Sequence, residues 1–124
     1  MTDFRFSAAV AAFALAAAFT APAMAHAMLD HASPGVGSTV QAAPAEIALS
    51  FSERIVAGFS GASLATTEGA AIPTGKTVVD PSSPETLHVS IGQKLKPGTY
   101  VVTWRAVSVD THRTSGTFKF TVAP

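Results

Sequence analysis

Residues 95–107 read LKPGTYVVTWRAV, and this stretch decides the fold class of the chain. The adjacent Pro and Gly at positions 97 and 98 are typical of a turn. Residues 100–107 then predict a long strand that is apolar on both faces in places, with Trp104 near its centre. A turn followed by a strand is one unit of the pattern that, when it recurs along the chain, predicts an all-β domain.

Shorter segments on both sides of this strand repeat the pattern of half-buried strands. Residues 46–51, 87–91 and 117–122, which read EIALSF, LHVSI and TFKFTV, place large apolar side chains at every second position. Residues 62–67 and 77–79 are weaker strand candidates. About six or seven short strands separated by Gly and Pro predict an antiparallel β-sandwich or barrel.

Composition excludes several classes of function. The chain has 124 residues, enough for one domain, and its 8 Lys and Arg balance 8 Asp and Glu. Zero net charge argues against nucleic acid as a partner, because a nucleic-acid binder needs a basic surface. The absence of Cys excludes disulfides and thiolate metal sites. The sequence also lacks a nucleophile elbow and a Gly-rich phosphate loop, so we predict that the protein is not an enzyme.

The N-terminal segment predicts export. Residues 8–19 form an uncharged apolar run after Arg5, and residues 23–25, AMA, fit the small-x-small pattern of a signal peptidase site. The run is shorter than the roughly 20 apolar residues that a membrane-spanning helix needs. We therefore predict a signal peptide over residues 1–25, cleaved after Ala25, and one mature domain over residues 26–124. A membrane anchor or a buried Ala-rich helix is the alternative.

Cleavage after Ala25 would make His26 the first residue of the mature chain. A terminal His offers two nitrogens, the free α-amine and the imidazole Nδ1, which together close a chelate ring on one metal ion. A metal must displace the proton of the amine, whose ordinary pKa is about 7.7–8.0, so binding should weaken in acid. The alternative is that His26 follows the cleavage site without any role, as any residue can.

The triplet Asp110-Thr111-His112 supplies candidate partners for His26. If residues 110–112 are extended, Asp110 and His112 point to the same side and Thr111 to the other. Two nitrogens from His26, one from His112 and an oxygen from Asp110 make a set that suits a tetragonal Cu(II) ion. Zn(II) or Ni(II) could use parts of this set. The alternative for the triplet is a turn Asp beside an exposed His.

Other polar residues receive weaker predictions. His88 alternates with an apolar face and is predicted to point to solvent. His31 is predicted to have a surface role rather than to be a fifth metal ligand. Arg105, Arg113 and Glu53 either contact a carboxylate of the metal site and tune its charge, or form ordinary surface pairs.

The pattern as a whole resembles the CopC-like copper resistance proteins. The likeness covers essentially all of residues 26–124, and its most specific part is the W-R-A-V-S-x-D-x-H run. The matching stretches are residues 26–29 (HAML), 33–34 (SP), 37–38 (GS), 44–53 (PAEIALSFSE), 59–62 (FSGA), 95–100 (LKPGTY), 104–112 (WRAVSVDTH) and 115–116 (SG).

The resemblance implies an Ig-like Greek-key β-sandwich of about seven strands in the periplasm. It implies one Cu(II) per chain, bound by His26, Asp110 and His112 in a monomer that serves copper resistance and homeostasis. It also implies delivery of copper to a CopD-type inner-membrane transporter. Some relatives carry a Met-rich Cu(I) site, whereas residues 26–124 contain a single Met, Met28. A Pro commonly follows the D-x-H triplet in the family, and here Arg113 stands in its place.

Two other functions remain open at this point. A terminal His with a second His also resembles the copper brace of polysaccharide monooxygenases, which would make the protein a copper-dependent oxidase or monooxygenase. Against this, Asp110 would fill a position that such chemistry leaves open, and few aromatic residues are available to bind a sugar. The third reading is a structural Ig-like module whose histidines have no role.

Overall fold

The structure is a computed structural model that describes residues 28–124. The predicted signal peptide and His26 lie outside the described residues. Regular structure within this range consists of nine strands and one three-residue 3-10 helix, Ala57–Phe59. The strands are β1 (Leu29–Ser33), β2 (Thr39–Val40), β3 (Glu46–Phe51), β4 (Gly61–Thr66), β5 (Ala71–Ile72), β6 (Thr74–Asp80), β7 (Ser83–Ile91), β8 (Gly98–Val107) and β9 (Arg113–Val122).

The strands form two sheets, so the predicted β-sandwich is confirmed. One sheet has four strands in the order β1-β3-β7-β6, and the other has five in the order β2-β9-β8-β4-β5. Neighbouring strands are antiparallel except for β2 and β9, which are parallel. The predicted number of about seven matches the longer strands, since β2 and β5 have two residues each. No helix within residues 28–124 is long and apolar enough to cross a membrane.

The core lies between the two sheets and follows the predicted alternation. Buried side chains from β3 and β7 face buried side chains from β8 and β9. The rings of Phe51 and Trp104 meet across the sandwich with centroids 5.2 Å apart at 62°. Each large apolar side chain that is fully removed from water contributes about 1.5–3 kcal/mol. The core members of these strands are Ile47, Leu49, Phe51, Leu87, Val89, Tyr100, Val102, Trp104, Ala106, Phe118, Phe120 and Val122.

The pairing of β8 with β9 fixes the position of the loop that joins them. Their register runs without a break from Gly98 opposite Val122 to Val107 opposite Arg113. Gly116 lies opposite Trp104, and a Cβ at Gly116 would come within 2.6 Å of the indole ring. Glycine is therefore required at this position for the indole to lie against β9.

Candidate metal centre

The candidate metal site is built on the loop between β8 and β9. The inward-facing series of β8 continues by two more residues to Ser108, which is fully buried. The backbone N–H of Ser108 donates to the carbonyl oxygen of His112 at 3.0 Å, and its carbonyl accepts from the N–H of Thr111 at 2.8 Å. Its hydroxyl donates to Oδ1 of Asp110. Ser108 thus holds both ends of the loop from inside the domain.

The predicted extended conformation of residues 110–112 is wrong. The chain turns here because β8 must reverse into β9, and Thr111 adopts a φ of 73°. This left-handed conformation is rare for a β-branched residue. The turn nevertheless brings the two predicted donors together, since Oδ2 of Asp110 lies 3.2 Å from Nδ1 of His112.

Hydrogen bonding keeps Asp110 in its charged form. The Ser108 hydroxyl bond is the largest cause that lowers the pKa of the Asp110 carboxyl, and the neighbouring His112 adds to it. The side chains of His112 and Asp110 are 48% and 44% exposed. A charged carboxylate and an imidazole therefore lie side by side where a dissolved ion can reach them.

The spacing of this pair fits two neighbouring ligands of one metal ion. Imidazole nitrogens and carboxylate oxygens lie about 2.0–2.1 Å from a divalent ion such as zinc, so two donors at right angles are roughly 2.9 Å apart. The observed 3.2 Å is close to this value. Within residues 28–124 no group of three or more His, Cys, Asp or Glu side chains forms a metal site. Asp110 and His112 alone are too few to hold a metal ion, so a metal site at this pair would need further ligands.

Hydrogen bonds of the segment after β3 link it both to the start of the described chain and to this loop. Met28 and Ser52 are joined by two bonds: the Met28 N–H donates to the Ser52 hydroxyl, and the Ser52 N–H donates to the Met28 carbonyl, both at 2.8 Å. Two residues further on, the carbonyl of Arg54 accepts from the N–H of Val109 at 3.1 Å. The segment after β3 thus contacts both the beginning of β1 and the loop that carries Asp110.

His88 lies away from this pair, in a different kind of site. It is on the outer face of the four-stranded sheet, as predicted, but it is only 32% exposed because two carboxylates flank its ring. Its Nδ1 lies 2.8 Å from Oε2 of Glu46, and its Nε2 lies 3.3 Å from Oδ2 of Asp80. The hydrogen bond to Glu46 is the largest cause that raises the pKa of His88. This arrangement favours a charged imidazolium rather than a metal ligand.

The other candidates do not join the Asp110–His112 pair in the described contacts. His31 is exposed on β1, opposite Ser50. Arg105 and Arg113 are exposed on β8 and β9, and within residues 28–124 neither forms an ion pair with a carboxylate. Glu53, in the segment after β3, likewise has no ion pair within that range.

The residue that sequence reasoning missed is Ser108. Its signal was present, because the inward positions 100, 102, 104 and 106 continue at period two to Ser108. A polar residue at a fully buried position needs a hydrogen-bond partner. Here that partner is Asp110, the proposed ligand.

Comparisons with known proteins agree with this architecture. A family model described as the CopC domain matches residues 29–123. The chain therefore belongs to the CopC family, which confirms the resemblance found in the sequence.

Several relatives are similar over most of the chain. Protein YobA of Escherichia coli K12 is 42% identical over 98 residues, which cover 79% of each chain. Copper resistance protein C of Pseudomonas syringae pv. tomato is 40% identical over 118 residues, covering 91% of this chain and 93% of the relative. Copper transport protein CutJ of Bacillus subtilis is 31% identical over 98 residues, which are 79% of this chain but 18% of that longer protein.

A solved structure gives the same fold. The crystal structure of CopC from Methylosinus trichosporium OB3b matches with a TM-score of 0.75 and 29% sequence identity. The match covers 80% of this chain and 95% of that one. The two sheets described above are thus the architecture of a CopC β-sandwich.

Proposed function

We propose that this protein is a non-enzymatic, monomeric periplasmic carrier that binds one Cu(II) ion through His26, Asp110 and His112. In this proposal, export removes residues 1–25 and frees the α-amine of His26. The carrier serves copper resistance and homeostasis. Membership of the CopC family and the names of the copper resistance relatives support this class of function.

The observation that carries the proposal is the Asp110–His112 pair, held by Ser108 with two donor atoms 3.2 Å apart. The pair lacks further ligands within residues 28–124. Hydrogen bonds join Met28, just before β1, to Ser52 in the segment after β3. The same segment contacts the loop that carries Asp110, through the bond between Arg54 and Val109. His26 precedes Met28 by two residues. Because two extended residues span at most about 7 Å, the backbone of His26 stays within that distance of Met28.

The donor set favours Cu(II) over other cargo. The amine and imidazole of His26 with the imidazole of His112 would supply three nitrogens, and Asp110 would supply one oxygen. Such a set suits a tetragonal ion, and copper stands at the top of the divalent affinity order. The carboxylate also offsets part of the charge of the ion. Since protons compete for the amine and both imidazoles, we expect binding to weaken as the pH falls.

Delivery to a CopD-type inner-membrane transporter is the proposed fate of the copper. The likeness to CutJ supports it, because in that protein the matching region is one part of a longer chain named a copper transport protein. A separate carrier and a transporter that act together would provide the same combination in two chains.

The experiment measures Cu(II) binding to the chain that begins at His26. We expect one Cu(II) per chain, with a tetragonal signal in electron paramagnetic resonance. His26→Ala removes one nitrogen, and an extra Met before His26 keeps the ring but moves the free amine. Both variants should bind much more weakly while Trp104 fluorescence reports an intact core. Unchanged affinity in both variants would contradict the proposed site.

A further inference from the structure

A cleft lies beside the β8–β9 loop, on the outer face of the five-stranded sheet. It is an open cleft of about 730 Å³. Its wall includes Gly58 and Phe59 of the 3-10 helix, Thr111 of the loop, and the exposed residues Arg105, Arg113 and Ser115. The side chains of Asp110 and His112 do not line this cleft.

Two guanidinium groups give the cleft a local positive charge. Within residues 28–124 neither Arg105 nor Arg113 pairs with a carboxylate. The whole chain has no net charge, so this charge is a feature of the cleft and not of the protein surface in general. Arginine binds carboxylates through two parallel hydrogen bonds, which makes a carboxylate the ligand that fits.

The sheet register sets the spacing of the two strand positions from which the arginine side chains extend. Arg105 lies opposite Ser115, and Arg113 lies two positions before Ser115 on the same face of β9. Such diagonal neighbours are about 7–8 Å apart. In an extended peptide, side chains at positions i and i+2 are on one side and roughly 6.6–6.8 Å apart. Two acidic residues separated by one position would therefore match the two arginines.

The surroundings leave room for one arginine and place an aromatic ring beside it. A Cβ at Gly61 would lie 3.4 Å from Nη2 of Arg105, so the missing side chain leaves room for the guanidinium. The Ser60 hydroxyl accepts from the N–H of Val107 at 3.0 Å and fixes the segment after the 3-10 helix against β8. Phe59, just before it, is 66% exposed on the wall of the cleft. Arginine and aromatic side chains commonly dominate binding energy at interfaces.

We infer that this cleft docks an extended acidic segment of a partner protein. Two carboxylates spaced i and i+2 pair with Arg105 and Arg113, and an apolar side chain of the segment packs on Phe59. The partner then lies beside the β8–β9 loop that carries Asp110 and His112, and contacts this loop at Thr111. The biological meaning rests on the proposed delivery of copper, but docking itself requires no metal.

The test uses the copper-free chain of residues 26–124 labelled with ¹⁵N and a blocked synthetic peptide, Phe-Ser-Glu-Ser-Glu-Ser-Phe, whose Glu and Phe side chains share one face when it is extended. We expect amide shifts to change at residues 105, 113 and 115, and binding to weaken in high salt. Replacing both Glu residues of the peptide by Gln, or Arg105 by Gln, should weaken binding about tenfold. The matched control is Lys119→Gln, which removes a positive charge from the same face of β9 outside the cleft and should leave binding unchanged.

Several results would overturn the inference. The Gln peptide could bind as tightly as the Glu peptide, or Lys119→Gln could lose as much peptide affinity as Arg105→Gln. The third such result is amide shift changes that lie outside the cleft. Stronger binding at the cleft by free citrate, or by vesicles of phosphatidylglycerol, would make it a site for small anions or for a membrane instead. Cu(II) affinity is measured on the same samples, and Arg105→Gln should not change it. Failure of docking and failure of copper binding are therefore distinguishable.

Discussion

His88 and His112 are both next to carboxylates, yet their surroundings make them different groups. His88 lies on regular sheet, where each ring nitrogen faces a carboxylate, Glu46 on β3 and Asp80 on β6. His112 lies at the end of a turn, with Nδ1 3.2 Å from a carboxylate that buried Ser108 already holds. Two flanking carboxylates favour a protonated ring that bridges strands, whereas a carboxylate beside the ring offers a second donor to a metal.

The sheet or loop around each histidine decides what its ring contacts, since the residue type is the same. We therefore expect opposite responses to protons. Protonation strengthens the bridge at His88, because the charged ring attracts both carboxylates. Protonation of His112 would instead remove a metal ligand.

The largest expected effect separates the two histidines by copper affinity. His112→Ala should lower Cu(II) affinity by about 100-fold or more, since losing an outer partner alone costs roughly 10–100-fold. His88→Ala serves as the matched control and should leave the affinity unchanged. Competition with a chelator of known affinity measures both. Equal losses in the two variants, or a larger loss in His88→Ala, would break the distinction.

A smaller effect is expected from Ser108, which supports the site without touching the metal. Ser108→Ala should weaken Cu(II) binding roughly tenfold, because Asp110 loses the hydroxyl that orients it. Loss of this hydrogen bond should also lower the free energy of unfolding by about 1 kcal/mol. Ser63→Ala, on the exposed face of β4, is the control. Identical Cu(II) binding by the Ser108 and Ser63 variants would show that Ser108 does not support the metal site.

The smallest effect is the pH dependence of folding stability that His88 contributes. Its pKa in the folded protein is raised above the ordinary 6.5. The bridge therefore stabilises the fold fully below about pH 6.5, and this stabilisation is lost as the pH rises through the raised pKa. Because all three side chains are partly exposed, solvent screens the bridge and we expect its contribution to the free energy of unfolding to be small.

Urea unfolding of wild type and His88→Gln at several pH values measures this contribution. The difference between the two proteins should be largest near pH 6 and should shrink above neutrality. The pKa of Asp80 is lowered, first by the Ser82 N–H and then by His88, so its share is lost only below its ordinary 3.8. A difference that is constant from pH 6 to pH 8.5 would contradict the bridge.

Much of the fold could be predicted because burial on one face imposes a period of two. This pattern identified β3, the end of β7, and β8 with Trp104 at its centre. The beginning of β9 was placed at residue 117, four positions late, because the residues from Arg113 to Gly116 carry little apolar signal. They are in a strand because β8 pairs with them. The two-residue strands β2 and β5 exist through pairing alone.

The sequence predicted which residues lie at the candidate site but not how the chain arranges them. The D-x-H spacing identified Asp110 and His112, whereas a left-handed Thr111 could not be expected from a β-branched residue. The carboxylates beside His88 were also out of reach, since Glu46 and Asp80 approach it only through the register of β3, β6 and β7. Contacts that depend on strand register cannot be predicted from the sequence pattern alone, because the register is known only once the fold is known.

We propose that a freed N-terminal histidine completes a copper site on the β8–β9 loop. Native mass spectrometry of the protein from the exported fraction of copper-fed cells measures both the first residue and the bound metal. We expect a monomer with the mass of residues 26–124 plus one copper ion. A first residue other than His26, or the same chain without copper under saturating supply, would contradict it.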